Sequence, residues 1–109
     1  MTTIYAIHAP EADKLATVIS EMRALGAPKI RVVDCGDHYM ALEGSHRLAA
    51  ACELDLTPEL VVYEQDDVID ISNEDWYDAA NWGGTSYAAG EVAGELYSTQ
   101  ARAYEFEPA

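Results

Sequence analysis

The chain has 109 residues, half of them apolar, and a formal net charge of −14, with six lysines and arginines against twenty aspartates and glutamates. This length suits a single domain with a hydrophobic core, and the acidic balance disfavours direct binding to nucleic acid, because proteins hold phosphate backbones chiefly through lysine and arginine. The sequence has no long apolar run and no basic, leader-like start, so it predicts no membrane association and indicates a cytoplasmic protein.

The first half of the chain predicts alternating strands and helices. A strand over residues 3–8 precedes a helix whose apolar residues recur at helical spacing, at Leu15, Val18, Ile19, Met22 and Leu25. Gly26 and Pro28 end that helix, and residues 30–43 form a hairpin around a Gly36-Asp37 turn. A helix then runs from the end of the hairpin to about Asp55, and a short strand covers residues 60–63.

The second half is more acidic and richer in aromatic residues. Residues 59–109 contain twelve acids and one base, Arg102. The pattern predicts a strand over 68–71, a short helix from a Ser72-Asp75 capping box through Trp82, a helix over 87–97 and an edge strand over 101–106. We expect most of its aromatic rings to form a satellite core, although they could instead form an interface with a partner: Trp76, Tyr77, Trp82, Tyr87, Tyr97 and Tyr104. Overall the sequence predicts an α+β fold, a mixed sheet with packed helices in one domain spanning 1–109.

The strongest candidate for a functional site is the junction between the hairpin and the second helix, over residues 43–47. The N–H groups in the first turn of a helix have no partner within the helix and lie at the positive end of its dipole, so they can receive an anion. Gly44 permits the turn, Ser45 and His46 open the helix, and Arg47 adds a guanidinium group to a chain with few cations. These residues therefore predict a phosphate-binding site, with Glu43 beside it as a candidate catalytic base or support for Mg²⁺.

A plainer interpretation of the same residues stays open. Ser45 could simply cap the helix, Arg47 could pair with Glu43, and His46 could be a solvated side chain. Elsewhere His8 and His38 have no partner at helical spacing and the aspartates around Asp66 are typical of a solvated loop, so the sequence predicts no metal site. Cys35 and Cys52 are interpreted as reduced core or turn residues.

The order of these elements, with the segment Glu43-Gly44-Ser45-His46-Arg47-Leu48-Ala49-Ala50 and the valine-rich strand after it, resembles the ParB/sulfiredoxin superfamily over residues 4–65. In ParB partition proteins the equivalent box opens a helix that holds the phosphates of CTP, and in sulfiredoxins it holds those of ATP. ParB-like free-serine kinases use the same pocket for phosphoryl transfer. The resemblance implies that Gly44, Ser45, His46 and Arg47 bind the phosphates of CTP, ATP or ADP, with Mg²⁺ as the accompanying ion.

Departures from these families narrow the expected function. Ser45 stands where a sulfiredoxin has its reactive cysteine, so sulfiredoxin activity is not expected. The chain shows no basic recognition helix, which indicates an isolated nucleotide-pocket domain rather than a complete partition protein. The nuclease activity named for some relatives conflicts with the acidic surface. Two functions remain open: a nucleotide binder with hydrolase or small-molecule kinase character, or a non-enzymatic acidic interaction or inhibitor module from a phage or other mobile element, whose pocket is vestigial and whose acidic half binds a basic protein or forms a homodimer.

Overall fold

The structure is a computed structural model that describes residues 1–98 and 100–107. In chain order its elements are β1 (Thr2–Ala6), α1 (Ala12–Leu25), β2 (Lys29–Asp34), β3 (Tyr39–Ala41), α2 (Ser45–Glu53), β4 (Glu59–Tyr63), β5 (Val68–Asp70), β6 (Ser86–Ala88), α3 (Ala89–Leu96) and β7 (Arg102–Phe106).

Five of the strands form one mixed sheet in the order β4-β2-β3-β1-β7, and β5 pairs with β6 in a separate two-stranded ribbon. Strand β1 runs parallel to β3, and β2 runs parallel to β4, whereas β2 and β3 form the antiparallel hairpin. This arrangement confirms the predicted α+β class and mixed sheet. It also brings the carboxyl ends of the parallel strands β1 and β3 together at one end of the sheet. Ligand sites commonly form at such strand ends.

The sheet separates two hydrophobic cores. On one face Ile4, Ile30 and Val32 pack with Leu48 of α2 and Met22 of α1. On the other face a second set of buried residues packs with the ribbon and α3: Val33, Met40, Leu42, Ile71, Ala89, Val92, Ala93 and Leu96. The strict alternation along β2, with Val32 on the first face and Val33 on the second, is what a strand buried on both sides requires.

Helix α1 follows its predicted stripe only in part. Met22 is buried, and Leu15, Val18 and Ile19 pack against the first core. Leu25 was expected in the same stripe, but it is 83% exposed because the helix ends at this residue and Gly26 turns the chain away. Among the described residues, no helix combines the length and the apolar character that crossing a bilayer would require.

Helix α2 confirms the predicted start after Gly44, and it ends at Glu53. Its alanines Ala50 and Ala51 are completely buried, which lets the helix lie close to the sheet. Cys52 is exposed rather than in the core, and Cys35 is only half-buried. The side chain at position 52 therefore lies on the solvent side of the helix.

The loop between β5 and β6 is where the sequence prediction fails. The predicted helix from Ser72 through Trp82 is wrong, since this segment forms consecutive turns. The amide of Ser72 donates to Asp70 Oδ1 at 2.8 Å, and that of Ala80 donates to Asp78 Oδ1 at 2.9 Å. These aspartate side chains bind the backbone locally and so compete with helix formation.

The helix predicted over 87–97 begins later than expected, because Tyr87 belongs to β6 and α3 starts at Ala89. The predicted satellite core is present, with Trp76, Tyr77, Trp82 and Tyr87 packed against the second hydrophobic core. Two tyrosines differ: Tyr97 is 52% exposed, and Tyr104 lies in β7 on the opposite face of the sheet. The final strand is confirmed as an edge strand paired with β1.

Helix α3 contains two glycines, Gly90 and Gly94, and only Gly90 lies close to Gln65 in the turn after β4. Replacing each by alanine tests this close contact. A methyl group added at Gly94 would meet nothing within 4 Å, whereas one at Gly90 would lie 3.0 Å from Cβ of Gln65 and 3.2 Å from its carbonyl oxygen. Gly94→Ala is expected to raise the free energy of unfolding by about 0.5–1 kcal/mol, because alanine favours helix. The free energy of unfolding of the Gly90→Ala variant is expected to be at least ~1 kcal/mol lower than that of the Gly94→Ala variant, because the added methyl group has no room beside Gln65. Urea denaturation measures both, and equal stabilisation by the two would contradict the close approach.

Candidate functional site

A cavity of about 470 Å³ opens at the carboxyl ends of β1 and β3. Ile7 and His8, which follow β1, form one wall, and Leu42 and Glu43, which follow β3, form another. The first turn of α2 forms the floor together with Arg31 of β2, while the loop residues 73–76 form the remaining side. The cavity thus includes all five residues predicted as the site, from Glu43 to Arg47.

Gly44 sets the start of α2. Its backbone has φ 75° and ψ 36°, a left-handed conformation that favours glycine. A methyl group here would also lie 2.8 Å from Cδ1 of Ile30 and 3.2 Å from Nη2 of Arg47. Glycine is therefore required both by the backbone and by the space between β2 and α2.

The main-chain donors in the first turn of α2 are available to a ligand. The first helical hydrogen bond runs from the N–H of Leu48 to the carbonyl of Gly44 at 2.8 Å. Within residues 1–98 and 100–107, no side chain caps this helix and no hydrogen bond joins the N–H groups of Ser45, His46 or Arg47 to another residue. These groups lie at the positive end of the helix dipole, and the three residues that carry them line the cavity.

The hydroxyl of Ser45 is the most distinctive group in the cavity. The residue is only 6% exposed, yet its hydroxyl makes no hydrogen bond to another described residue. No fully buried side-chain oxygen or nitrogen in the described part of the chain lacks a partner, so this hydroxyl keeps its remaining exposure through the cavity that it lines. The hydroxyl is therefore accessible, and an anion at the helix start could accept a hydrogen bond from it.

Arg47 lies at the cavity but is already held by the protein. Its Nη1 donates to the carbonyl of Lys29 at 3.1 Å, and its Nη2 lies 3.4 Å from Oε1 of Glu43. The side chain is 40% exposed, so its remaining N–H groups face solvent and the cavity. The plainer interpretation, in which Arg47 pairs with Glu43, therefore describes the free protein, and an incoming anion would share the guanidinium with that carboxylate.

Arg31 makes the principal ionic network of the cavity. Its Nε donates to Oε2 of Glu43 at 3.0 Å, and its Nη2 donates to both oxygens of Glu74, at 2.8 Å to Oε2. The backbone N–H of Arg31 donates to the same Glu43 carboxylate at 3.2 Å. The hydrogen bond to Glu43 and the neighbouring Glu74 raise the pKa of Arg31, so it stays charged at any ordinary pH.

This network leaves Glu43 strongly ionised. Partial burial raises the pKa of Glu43, but hydrogen bonds from Arg31 and the charges of Arg31 and Arg47 outweigh it and hold the pKa below its usual value. A carboxylate with a lowered pKa and both oxygens engaged is a weak general base. The geometry favours a structural role for Glu43, which joins the two arginines to the start of α2.

The ring of His46 is held by a main-chain hydrogen bond at the cavity. Nε2 of His46 accepts a hydrogen bond from the N–H of Glu11 at 3.0 Å, which places the ring proton on Nδ1. The ring of His8 lies edge-on to it, with centroids 5.6 Å apart. His46 thus links α2 to the start of α1, and it is available to a ligand only through Nδ1.

The charges lining the cavity nearly cancel. Arg31 and Arg47 face Glu43, Glu74 and Asp75, which leaves one negative charge if the histidines are neutral. The described residues contain no group of three or more histidine, cysteine or acidic side chains that could hold a metal ion. Of the three carboxylates that line the cavity, those of Glu43 and Glu74 are already paired with Arg31.

Sequence reasoning missed the contribution of the loop after β5. The side chain of Glu74 is 9% exposed and paired with Arg31, and Nε1 of Trp76 donates to the carbonyl of Leu42 at 2.7 Å. A single arginine inside the apolar strand Ile30–Val33 was the available signal, since a cation there needs an acidic partner. The partner itself lies 43 residues away in a loop, and its position could not be read from local patterns.

Comparison of the chain with protein-family profiles, with curated proteins and with solved structures gives no match. The interpretation of the site therefore depends on its geometry.

Gly44→Ala is expected to lower the free energy of unfolding by about 2 kcal/mol, because it combines left-handed strain with contacts to Ile30 and Arg47. Gly36→Ala is the matched control: Gly36 has φ 95° in the hairpin turn, but a methyl group there meets nothing within 4 Å. Gly36→Ala is expected to lower the free energy of unfolding by about 1 kcal/mol, from backbone strain alone. Equal losses in thermal or urea denaturation would contradict the tight fit at Gly44.

Glu43→Gln tests the ionic network. At pH 7 it is expected to lower the free energy of unfolding by about 2 kcal/mol, because it weakens charge-assisted hydrogen bonds to Arg31. Since the folded-state pKa of Glu43 is lowered, its stabilisation is present above the ordinary value of 4.5 and is lost as the pH falls through the folded-state value. The difference from wild type should therefore shrink in strongly acidic urea titrations.

Glu59→Gln is the control for that experiment. Glu59 pairs with Lys29 at 3.8 Å on the surface, with a side chain that is 72% exposed, and should contribute less than ~0.5 kcal/mol. A Glu43→Gln difference that persists unchanged at low pH would contradict the ionic origin of the effect.

Proposed function

We propose that the cavity binds the phosphate groups of a nucleotide at the first turn of α2. The observation that carries the proposal is the hydroxyl of Ser45, which makes no hydrogen bond to a described residue yet keeps some exposure, together with three main-chain N–H groups at the start of the same helix that no described residue pairs. Together they form a set of donors with no acceptor. A phosphate supplies several acceptor oxygens and the negative charge that a helix start favours.

Arg47 would provide the charge for this site. It is already oriented by the carbonyl of Lys29 and by Glu43, so little side-chain freedom remains to be lost on binding. His46 would add a donor through Nδ1, and Gly44 would keep the backbone close to the ligand. Because the cavity is otherwise slightly acidic, we propose that the nucleotide brings Mg²⁺ with it as a counterion, as CTP, ATP and ADP do.

Catalysis, if the bound nucleotide reacts, would consist mainly of positioning. Hydrolysis or transfer of a phosphoryl group to a small acceptor needs an acceptor for the proton of the attacking oxygen. Glu43 is the proposed base in this extension, although its ion pair with Arg31 opposes that role. Nucleotide binding is therefore the main proposal, and a hydrolase or kinase-like reaction is secondary to it.

The resemblance to the ParB/sulfiredoxin superfamily supports the same ligand class, because its nucleotide phosphates lie at an equivalent glycine-to-arginine box. We include a cytoplasmic location in the proposal, since nucleotides are abundant there and both cysteines are free.

The second candidate is a non-enzymatic acidic interaction or inhibitor module from a phage or other mobile element, in which the pocket is vestigial. One observation favours it: the two arginines of the cavity are paired with the protein's own carboxylates. On this alternative the chain would bind a basic protein, and no nucleotide would bind in the cavity.

Calorimetric titration separates the two functions. The wild-type protein is titrated with CTP, ATP and ADP in the presence of Mg²⁺, and with inorganic phosphate. Arg47→Ala is expected to weaken nucleotide binding at least ~10-fold, and Ser45→Ala by a smaller factor of about 3–5. Lys29→Ala is the control, because it removes an exposed cation whose ammonium does not line the cavity.

The outcomes are distinct. Loss of binding in Arg47→Ala but not in Lys29→Ala supports the phosphate site. Equal weakening in both variants would indicate only general electrostatic attraction. A wild-type protein that binds none of these ligands would overturn the proposal and favour the acidic module.

A further inference from the structure

Within the described residues, the outer edge of β4, formed by Leu60, Val61 and Val62, has no neighbouring strand. The sheet order places β4 at one end, and in the described residues β4 pairs only with β2. Val61 is 37% exposed and Val62 is 43% exposed, although both are strongly strand-forming. We call this feature the β4 edge.

The direction of the hydrogen bonds shows which main-chain groups the β4 edge offers. The N–H of Glu59 donates to the carbonyl of Pro28 at 2.9 Å, so Glu59 faces β2. In a parallel ladder alternate residues face the same neighbour. Val61 and Tyr63 therefore also face β2, and the N–H and C=O groups of Leu60 and Val62 point outward.

The chain itself closes the edge immediately after Val62. The next outward N–H belongs to Glu64, and it donates to Oδ2 of Asp67 at 2.8 Å in the following turn. The open part of the edge is thus short. It can hold one extended segment by a few main-chain hydrogen bonds, the arrangement used in recognition by strand addition.

Apolar surface lies next to this edge on the face of the second core. A cavity of about 240 Å³ is lined there by Tyr63, Val68 and Ile69, together with Asp70 and the Arg31–Glu74 pair. Val68 is 74% exposed. An added strand on β4 would place alternate side chains over this surface, which would bury part of Val61 and Val68.

The acidic charge around the β4 edge favours a cationic partner over a second copy of this chain. Residues 59–70 contain five acids and no base. The nearest cations are engaged: Lys29 lies 3.8 Å from Glu59, and Arg31 is held by Glu43 and Glu74. A second copy of the chain would bring another 14 net negative charges and a second acidic turn to this edge, so self-pairing is opposed.

We propose that the β4 edge binds an extended segment of a partner protein rich in lysine or arginine, which pairs with Leu60 and Val62 as an added strand. Its apolar side chains cover Val61 and Val68, and its cationic side chains face Glu64, Asp66, Asp67 and Asp70. The surface beside the β4 edge shares the Arg31–Glu74 pair with the nucleotide cavity, but the β4 edge itself does not line that cavity, and the proposal does not depend on phosphate binding.

The test uses a fluorescein-labelled peptide, acetyl-KVKVKVK-amide, titrated with the full chain at physiological ionic strength. Two comparison peptides separate charge from backbone pairing. The first keeps the charge but has N-methyl groups on every second residue, and the second keeps the backbone but has glutamate in place of lysine. N-methylation removes the donors of one strand edge without changing charge. We expect anisotropy to show binding of the lysine peptide, at least ~10-fold weaker binding of the N-methylated form and none of the glutamate form.

Protein variants locate the binding site. Val62→Lys adds a positive charge to the β4 edge and should weaken peptide binding at least ~10-fold. Ala103→Lys is the matched control, since it adds the same charge at an exposed position of β7, the opposite edge of the sheet. It should leave the affinity within about 2-fold.

Hydrogen exchange of the wild-type protein provides a readout that needs no variant. The amides of Leu60 and Val62 should exchange at least ~10-fold more slowly when the lysine peptide is bound. Equal affinity for the N-methylated peptide, equal loss in the two lysine variants or protection confined to residues 76–97 would each overturn the proposal. Sedimentation that shows a dimer formed through β4 would also overturn it, in favour of a second copy as the occupant.

Discussion

Arg31 is the group on which the arrangement of the cavity depends. It projects from β2 and joins Glu43, which precedes α2, to Glu74, which lies in the loop after β5. These three residues come from segments that are far apart in the chain, so their ion pairs fix the position of the loop relative to the helix start. The carboxylate of Glu74 is the most buried of the three, with a side chain that is 9% exposed, and a charge in that position needs a partner such as Arg31. The shape of the cavity therefore follows from an electrostatic requirement as much as from the two hydrophobic cores.

The two sides of the cavity differ in their polar groups, and the ion pairs of Arg31 account for one of them. The start of α2 presents donors that no described residue pairs, at Ser45 and at three main-chain N–H groups, whereas the opposite wall presents carboxylates that are paired with arginines. An anion bound at the helix would gain the unpaired donors and share Arg47 with Glu43. It would also meet the negative field of a chain with net charge −14. Affinity would then depend strongly on Mg²⁺ and on ionic strength.

Much of the fold could be predicted from the sequence because it is encoded locally. The hairpin around Gly36, the start of α2 after Gly44 and the edge strand ending at Phe106 all follow from turn residues and from alternation. The segment between Ser72 and Trp82 could not be predicted in this way. The predicted Ser72-Asp75 cap does not start a helix there: Asp70 and Asp78 bind nearby N–H groups, and Nε1 of Trp76 donates to the carbonyl of Leu42, 34 residues away. The five residues of the candidate site were adjacent in sequence, whereas Arg31 and Glu74 come together only in the folded chain.

The most direct test of the phosphate site is to observe the three N–H groups themselves. Two-dimensional ¹H–¹⁵N NMR of the wild-type protein, titrated with ATP or CTP and Mg²⁺, should show saturable shifts centred on the amides of Ser45, His46 and Arg47, with smaller changes at Glu43 and Gly44. The account predicts that these shifts saturate together and give one dissociation constant. Amides at the start of α2 that stay unchanged at millimolar nucleotide, or saturable shifts confined to another part of the molecule, would contradict it.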